Sequence, residues 1–342
     1  MNKYLKTVLG ATGLAAAIVW SLHGVDLRRM GESLLAINRL LAGIVLVLTV
    51  INLLIRAMVW KAVLVPIKSI SLRQSFVNYL LGVFTNLFLP MKLGDLVQGM
   101  SLGRSESISK VSAVSAVIVQ RIFEVVSLAL ITSVVMLVFS FPSSFRSRTI
   151  YVVIAVSAAF LLFALLFKFR DKVDFFLAAL LRWLPAKMLE IIRRSFRHFL
   201  EGTAVIQNLP GSLKILGLSL LSWTVQITMV LVSAQALAIH LTIVSAAVVL
   251  LVINLGLCIP VSPGNIGTFQ VFSIVALSLY SVPKAEALGF AIVFQAIQGV
   301  PVVIGGSMSF FAFLVRARIK VPAVIPVPRN DRSIITKGKD TL

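Results

Sequence analysis

The feature that most constrains this chain is a series of apolar segments, many of them close to 20 residues long. A helix of about 20 apolar residues crosses the ~30 Å hydrocarbon core of a bilayer. Only 13% of the residues are charged and 59% are hydrophobic, whereas soluble proteins carry roughly 25% charged residues. The sequence therefore predicts an all-α, polytopic transmembrane helix bundle. Its apolar segments are residues 5–22, 40–60, 76–89, 111–139, 150–167, 213–238, 243–259, 269–279 and 287–315.

Basic residues collect between and after the apolar segments, and their positions orient the chain. The formal net charge is +20, and cytoplasmic loops of membrane proteins accumulate Lys and Arg. Residues 168–201 hold eight basic and four acidic residues, and residues 316–342 hold seven basic and two acidic residues. With Lys3 and Lys6 near the start, this predicts an inner-membrane protein with both termini in the cytoplasm. No nucleic-acid partner is predicted, because no RNA-binding motif accompanies these charges.

Two apolar segments, 76–89 and 269–279, are too short to span a bilayer easily, and each borders a polar break that contains glycine and proline. If both regions are re-entrant hairpins, the remaining spans number six and both termini fall on the same side. The first hairpin, about 76–104, is predicted to open to the cytoplasm, and the second, about 243–280, to the outer face. In the alternative topology every apolar segment crosses the membrane, and hydropathy does not distinguish between the two topologies.

The two breaks share a sequence pattern. Residues 86–98 (NLFLPMKLGDLVQ) align with residues 256–268 (GLCIPVSPGNIGT), and QRIFEV at 120–125 is echoed by QAIQGV at 295–300. The aligned pairs are Pro90 and Pro260, Gly94 and Gly264, and Asp95 and Asn265. The pattern predicts an inverted repeat, the architecture by which secondary transporters create alternating access. The predicted parts are one transmembrane domain at 1–315, pseudo-repeats at about 40–167 and 213–315 within it, a cytoplasmic amphipathic connector at about 168–212, and a basic, disordered cytoplasmic tail at 316–342.

Charged residues inside the predicted spans are candidate functional groups. Arg121 and Glu124 lie in the middle of segment 111–139, where an isolated charge costs ~3 kcal/mol or more. Their i,i+3 spacing allows them to pair on one helix face. They form either a structural ion pair or a site for a lipid headgroup or a proton. At the first break, Lys92 is a candidate phosphate contact, and Asp95 is a candidate helix cap or proton carrier.

Other polar and helix-breaking residues near the two breaks complete the predicted site. The candidate substrate-binding residues are Lys92, Asp95, Arg121, Glu124, Asn86, Gln120, Ser262, Asn265, Gln270 and Gln295. The structural breaks are Pro90, Gly94, Pro260, Pro263, Gly264 and Gly267. Arg56 and Lys61 are instead interpreted as snorkelling at the end of a helix. No metal or cofactor is predicted, because the three histidines are far apart in sequence and no Gly-Lys-Ser/Thr nucleotide-binding signature occurs.

Three short motifs resemble one known family. The stretches PMKLGDLVQ at 90–98, VQRIFEVV at 119–126 and PVSPGNIGTFQ at 260–270 are similar to the flippase-like transmembrane region of lysylphosphatidylglycerol synthases. That region also occurs in stand-alone bacterial and archaeal membrane proteins, and the resemblance covers about residues 5–315. Three positions differ from the usual motifs of the family. Asp95 replaces the Glu of Gly-Glu, Gln120 replaces the Glu of Glu-Arg, and Asn265 replaces the last Gly of Pro-Gly-Gly.

The resemblance implies translocation of an anionic or polyprenyl-type lipid, or service to a lipid-modifying transferase. The preferred hypothesis is a flippase-like transporter of an anionic phospholipid or a polyprenyl-phosphate-linked lipid. In it the hairpins meet near the midplane, and Arg121 and Lys92 contact the phosphate. The alternative is a membrane-embedded glycosyl- or lipid transferase, or an accessory subunit of such a system. It ranks second because acidic residues in the spans are nearly confined to Glu124.

Two further expectations follow from the resemblance. The soluble aminoacyl-transferring domain of the full synthases is not expected here, so this chain should not aminoacylate lipid on its own. The expected partners are membrane lipids with anionic headgroups, and a glycosyltransferase or other lipid-modifying enzyme is a further candidate partner. The pattern predicts no particular oligomeric state.

Overall fold

The computed structural model describes residues 28, 31–32, 35–89, 92–138, 204–257 and 263–319. Within these residues all regular structure is helical, which confirms the all-α prediction. The α-helices are α1 (Arg39–Leu64), α2 (Leu72–Phe88), α3 (Gly94–Ser105), α4 (Lys110–Val138), α5 (Leu209–Ala236), α6 (Ile243–Gly256), α7 (Thr268–Ser278) and α8 (Lys284–Ile319). Short 3-10 turns, Ala204–Gln207 and Pro263–Asn265, precede α5 and α7.

Four of the described helices are long and apolar enough to cross a membrane, which confirms the multi-pass prediction. They comprise Arg39–Leu64, Lys110–Val135, Leu209–Ala236 and Lys284–Val315. The predicted spans 5–22 and 150–167 lie outside the described residues, as do most of the connector and of the tail. α5 begins inside the predicted connector, and α8 runs past the predicted domain boundary at 315 to Ile319.

Helices α1 and α5 lie antiparallel. The side chain of Asn38 caps α1 by accepting hydrogen bonds from the first turn. The backbone N–H of Asn38 donates to the carbonyl oxygen of Ala236 at the end of α5, at 2.9 Å. Further along both helices, Oγ of Ser222 donates to Oδ1 of Asn52 at 2.7 Å. The C-terminal end of α5 therefore lies beside the N-terminal end of α1.

Helices α2 and α3 pack against each other as a helical hairpin, called the first hairpin below. They approach closely because Gly94 has no side chain, and a Cβ atom there would strike the backbone of Gly82 and Asn86. At the open end, Nζ of Lys68 lies 3.1 Å from Oε2 of Glu106. Lys68 precedes α2 and Glu106 follows α3, so the first hairpin begins and ends near the C-terminal end of α1.

Helices α6 and α7 form a second hairpin. They also pack tightly, because a Cβ atom on Gly256 would overlap the ring of Phe272. Ile239, just before α6, and Leu277, near the end of α7, belong to the same buried cluster as Val45 of α1. Since Val45 lies in the N-terminal part of α1, the second hairpin begins and ends near that end of the helix.

The two hairpins therefore open at opposite ends of α1, and their closed ends touch. The first hairpin belongs to a separate hydrophobic cluster, in which Tyr79 and Leu102 pack with Leu64 at the end of α1. Where the closed ends meet, a Cβ atom on Gly264 would lie only 3.3 Å from the carbonyl oxygen of Leu87. This contact brings both sequence breaks to one place inside the molecule.

Candidate functional site

Asn86 holds the break in the first hairpin in place. Its Oδ1 accepts a hydrogen bond from the backbone N–H of Gly94 at 2.8 Å, and its Nδ2 donates to Oδ1 of Asp95 at 2.8 Å. Asp95 lies in the first turn of α3, where the helix dipole stabilises a carboxylate. The carboxylate of Asp95 is thus fixed at the closed end of the hairpin.

Arg121 of α4 binds the carboxylate of Asp95 through two hydrogen bonds. Its Nε donates to Oδ2 at 2.8 Å and its Nη2 donates to Oδ1 at 2.6 Å, a two-point geometry that makes charge-assisted bonds strong and directional. The remaining terminal nitrogen, Nη1, donates to Oε2 of Glu124 at 2.7 Å. Arg121 therefore bridges a carboxylate on its own helix and one at the hairpin break.

A second cation, Arg56 of α1, completes the group, and the interpretation of Arg56 as a snorkelling residue is wrong. Its Nη1 donates to Oε1 of Glu124 at 3.2 Å, and its side chain is only 15% exposed. The guanidinium carbon lies 5.5 Å from the ring centre of Trp223, whose Nε1 donates to the carbonyl oxygen of Glu124 at 3.1 Å. The position of Arg56 in the sequence could have indicated this role, because Arg56 precedes the end of α1 by eight residues, or ~12 Å along the helix.

These four side chains, Arg56, Asp95, Arg121 and Glu124, are called the ion cluster below. Two cations and two carboxylates leave the cluster with no net charge, which offsets much of the cost of removing each ion from water. Gln120 is buried, and its Nε2 donates to Oε1 of Glu124 at 3.1 Å. Arg121 is the most exposed member, with 32% of its side chain accessible. It is therefore the member of the cluster best placed to meet a ligand.

The break in the second hairpin is held by neutral side chains. The Oε1 atom of Gln270 accepts a hydrogen bond from the backbone N–H of Gly267 at 2.7 Å, and Nε2 of Gln270 donates to Oε1 of Gln295 at 2.7 Å. Nε2 of Gln295 then donates to the carbonyl oxygen of Gly264 at 3.0 Å. Gly264 and Asn265 have positive φ angles of 60° and 58°, which Gly and Asn tolerate best.

The sequence-predicted site residues separate into groups. Six lie together at the first break: Asn86, Gly94, Asp95, Gln120, Arg121 and Glu124. Six lie at the second break: Pro263, Gly264, Asn265, Gly267, Gln270 and Gln295. Lys92 is exposed and lies outside the ion cluster. Pro90, Pro260 and Ser262 fall outside the described residues.

Sequence reasoning missed Arg56 and Trp223 as members of the site. Among the described residues, no group of three or more His, Cys, Asp or Glu side chains is placed to hold a metal ion. The described polar side chains that form hydrogen bonds at the hairpin breaks are guanidinium, carboxylate and amide groups.

Helices of membrane-spanning length around a buried, neutral ion cluster define a multi-pass integral membrane protein. The chain belongs to the family described as the lysylphosphatidylglycerol synthase transmembrane region, whose model matches residues 5–306. This match confirms the resemblance found in the three sequence motifs, and it includes both hairpins and the whole ion cluster. No curated protein and no solved structure matches the chain.

Proposed function

We propose that this protein moves an anionic phospholipid or a polyprenyl-phosphate-linked lipid across the membrane, with the lipid phosphate bound by Arg121. One observation carries the proposal: Arg121 is partly exposed, although two carboxylates bind it, at the closed end of the first hairpin. The break of the second hairpin packs against that same end. A planar guanidinium binds phosphate oxygens in the same two-point geometry that it uses here for Asp95.

In this proposal, a lipid phosphate replaces one of the two carboxylates that bind Arg121. When Arg121 turns to the phosphate, Asp95 keeps its hydrogen bond from Asn86 and its place at the N-terminus of α3. Glu124 keeps its bonds from Arg56 and Gln120. Neither carboxylate is then left without a hydrogen-bond donor, but Asp95 loses its cation, so the phosphate must bind Arg121 strongly enough to offset that cost.

We further propose that both hairpins are re-entrant and form an inverted repeat, which gives the bound lipid access to each face in turn. The proposal is supported by their opposite openings along α1 and by the matching roles of α4 and α8. Gln120 and Arg121 contact residues of the first hairpin. Gln295, which corresponds to Gln120 in the sequence echo, contacts the second.

The distribution of basic residues supports a cytoplasmic position for the C-terminal end of α1. Cytoplasmic ends of membrane helices carry an excess of Lys and Arg. Among the residues that the structure describes, the basic ones near this end of α1 include Lys61, Lys68, Arg73, Arg104, Lys110 and Lys214. Those near the other end are Arg39 and Lys284, with Arg28 in the segment that precedes α1. We therefore propose that the protein lies in the cell inner membrane. The first hairpin then opens to the cytoplasm, and the second opens to the outer side.

Lipid movement in reconstituted vesicles tests the proposed activity. Fluorescent phosphatidylglycerol should change leaflets in vesicles that contain the native protein, and Arg121→Gln should abolish most of this movement. Arg39→Gln is the matched control, because it removes an exposed arginine at the far end of α1. Unchanged movement in folded Arg121→Gln would contradict the proposal, and unchanged movement in folded Asp95→Asn as well would exclude the whole bidentate pair from it. Movement that requires an added lipid-modifying enzyme would instead favour the accessory-subunit alternative.

Cysteine labelling tests the proposed topology separately. The sequence contains one cysteine, Cys258, and Cys258→Ala provides a cysteine-free background. Ser107 follows the first hairpin and Ser281 follows the second, and both are exposed. A cysteine at Ser107 should react with an impermeant maleimide from the cytoplasmic side, and a cysteine at Ser281 from the opposite side. Reaction of both from one side would refute the inverted arrangement.

A further inference from the structure

A groove lies at the open end of the first hairpin, away from the ion cluster. Its volume is about 750 Å³, and it is enclosed by α2, α3 and the C-terminal half of α8. Sites for small ligands typically measure roughly 300–1,000 Å³, so the groove is large enough for a lipid headgroup and the first part of a hydrocarbon chain. Its lining combines polar residues of α2 and α3, called the polar side below, with apolar residues of α2 and α8, called the apolar side.

The polar side of the groove carries unpaired positive charge. Arg73 of α2 and Arg104 at the end of α3 line it, and neither forms an ion pair within the part of the chain that the structure describes. The carboxylate of the groove, Glu106, is already bound by Lys68 at 3.1 Å and by Gln74 at 3.2 Å. The two arginines are therefore available to an anion from outside.

The polar side of the groove also contains a hydroxyl group. Ser101 lines the groove and is 7% exposed, yet its hydroxyl has no hydrogen-bond partner among the described residues. Ser115 and Ser127, in contrast, donate to the carbonyl oxygen one turn earlier in their helix. A serine hydroxyl without a partner, in the same groove as two arginines, is suited to donate to a phosphate oxygen.

The apolar side indicates that the anion is attached to hydrocarbon. It consists of Val77 and Leu81 on α2 and Ala312 and Phe313 on α8. A free phosphate ion would leave this wall in contact with water, whereas an acyl or polyprenyl chain would cover it.

A line of hydrogen bonds joins the groove to the ion cluster. Asn78 lines the groove, and its Nδ2 donates to the carbonyl oxygen of Gln98 at 3.1 Å. Nε2 of Gln98 lies 3.5 Å from Oε1 of Gln120, which in turn contacts Glu124. Along α3, Arg104 follows Asp95 by nine residues, which is ~14 Å. The groove and the ion cluster therefore lie at two positions along the first hairpin.

We propose that this groove is a loading site, in which Arg73, Arg104 and Ser101 bind the phosphate of an anionic lipid and the lipid chain lies against α2 and α8. The loading role rests on the proposed function of the ion cluster, but binding at the groove does not depend on transport. The first hairpin then receives the lipid at its open end before the phosphate reaches Arg121.

Native mass spectrometry of the purified protein in neutral detergent measures this binding directly. Phosphatidylglycerol and phosphatidylcholine serve as probes. Each basic residue near a lipid surface strengthens binding to an anionic lipid by about fivefold, so Arg73→Gln/Arg104→Gln should weaken phosphatidylglycerol binding by at least about tenfold. Phosphatidylcholine binding should not change. Both arginines are exposed, so the double variant should elute and unfold as the native protein does.

Lys110→Gln is the matched control, because Lys110 is exposed at the same end of the molecule but does not line the groove. It should bind phosphatidylglycerol as the native protein does. Equal binding by the double variant and the native protein would overturn the assignment. Binding of inorganic pyrophosphate as tight as that of phosphatidylglycerol would overturn the lipid as occupant, because the apolar wall would then contribute nothing.

Arg121→Gln distinguishes the two proposals. It should lose lipid movement in vesicles and keep phosphatidylglycerol binding at the groove. If the double variant binds normally while Arg121→Gln loses movement, the groove assignment fails and the proposed function stands. If Arg121→Gln moves lipid normally while the double variant loses binding, the proposed function fails and the groove remains a lipid site.

Discussion

Charge balance in the ion cluster makes a quantitative prediction for Arg121 and Asp95. Arg121→Gln leaves two carboxylates to share one cation, and Asp95→Asn leaves one cation in excess. Removing one partner of a buried pair costs ~3–5 kcal/mol, because the other charge stays buried and unpaired. Arg121 is 32% exposed, so we expect the lower end, about 3 kcal/mol of unfolding free energy for each single variant.

The double variant Arg121→Gln/Asp95→Asn should cost much less than the sum of the two single variants. It leaves Arg56 paired with Glu124 and no surplus charge. We expect a total cost of about 3 kcal/mol, which corresponds to a coupling energy of about 3 kcal/mol between the two side chains. Denaturant unfolding of the four purified proteins in one detergent, followed by tryptophan fluorescence, measures this coupling.

A second cycle on Lys68 and Glu106 provides the reference. The side chain of Lys68 is 42% exposed, and ion pairs of this kind contribute ~1 kcal/mol or less. A coupling for Arg121 and Asp95 no larger than that of the reference pair would refute the reasoning, since the cluster would then behave as if it were hydrated. The folded double variant should also move no lipid, and restored movement would assign Arg121 a structural role only.

Three further changes test other contacts. Gly94→Ala should lower stability by about 1–3 kcal/mol in the same unfolding assay, because the new methyl group meets backbone of α2; Gly217→Ala, with nothing within 4 Å, should leave stability unchanged or raise it by up to about 1 kcal/mol. Trp223→Phe should cost about 1–2 kcal/mol in that assay, because it removes the hydrogen bond to the carbonyl oxygen of Glu124. Gln295→Ala should slow lipid movement severalfold in vesicles, because it removes the hydrogen bond to the carbonyl oxygen of Gly264 at the second break. An unchanged rate would argue against a role for that break.

Local sequence patterns were sufficient for much of the fold. Hydropathy located the described long helices, and the Pro- and Gly-containing breaks located the points where α2 gives way to α3 and α6 to α7; whether these helix pairs are re-entrant stays a prediction. The i,i+3 pairing of Arg121 with Glu124 was also predictable, since helix geometry brings those positions together. Each of these features depends on residues that are neighbours along the chain.

Contacts between distant helices were not predictable in the same way. Arg56 and Glu124 are 68 positions apart, and Arg121 and Asp95 are 26 positions apart. No periodicity links such residues, because their distance depends on how the helices pack. The presence of buried charge indicated that partners must exist, but the sequence did not identify Arg56 as one of them. The groove between α2, α3 and α8 depends on the same packing.

The neutrality of the ion cluster has an electrical consequence. Moving one elementary charge through the full membrane potential changes its free energy by ~2.3 kcal/mol per 100 mV. Because its two cations and two carboxylates cancel, the cluster as a whole would add no voltage dependence to the rearrangement of the hairpins that we propose. In the proposed transport, the bound anionic headgroup would carry the charge that responds to the membrane potential at this point, and an inside-negative potential would drive it outward.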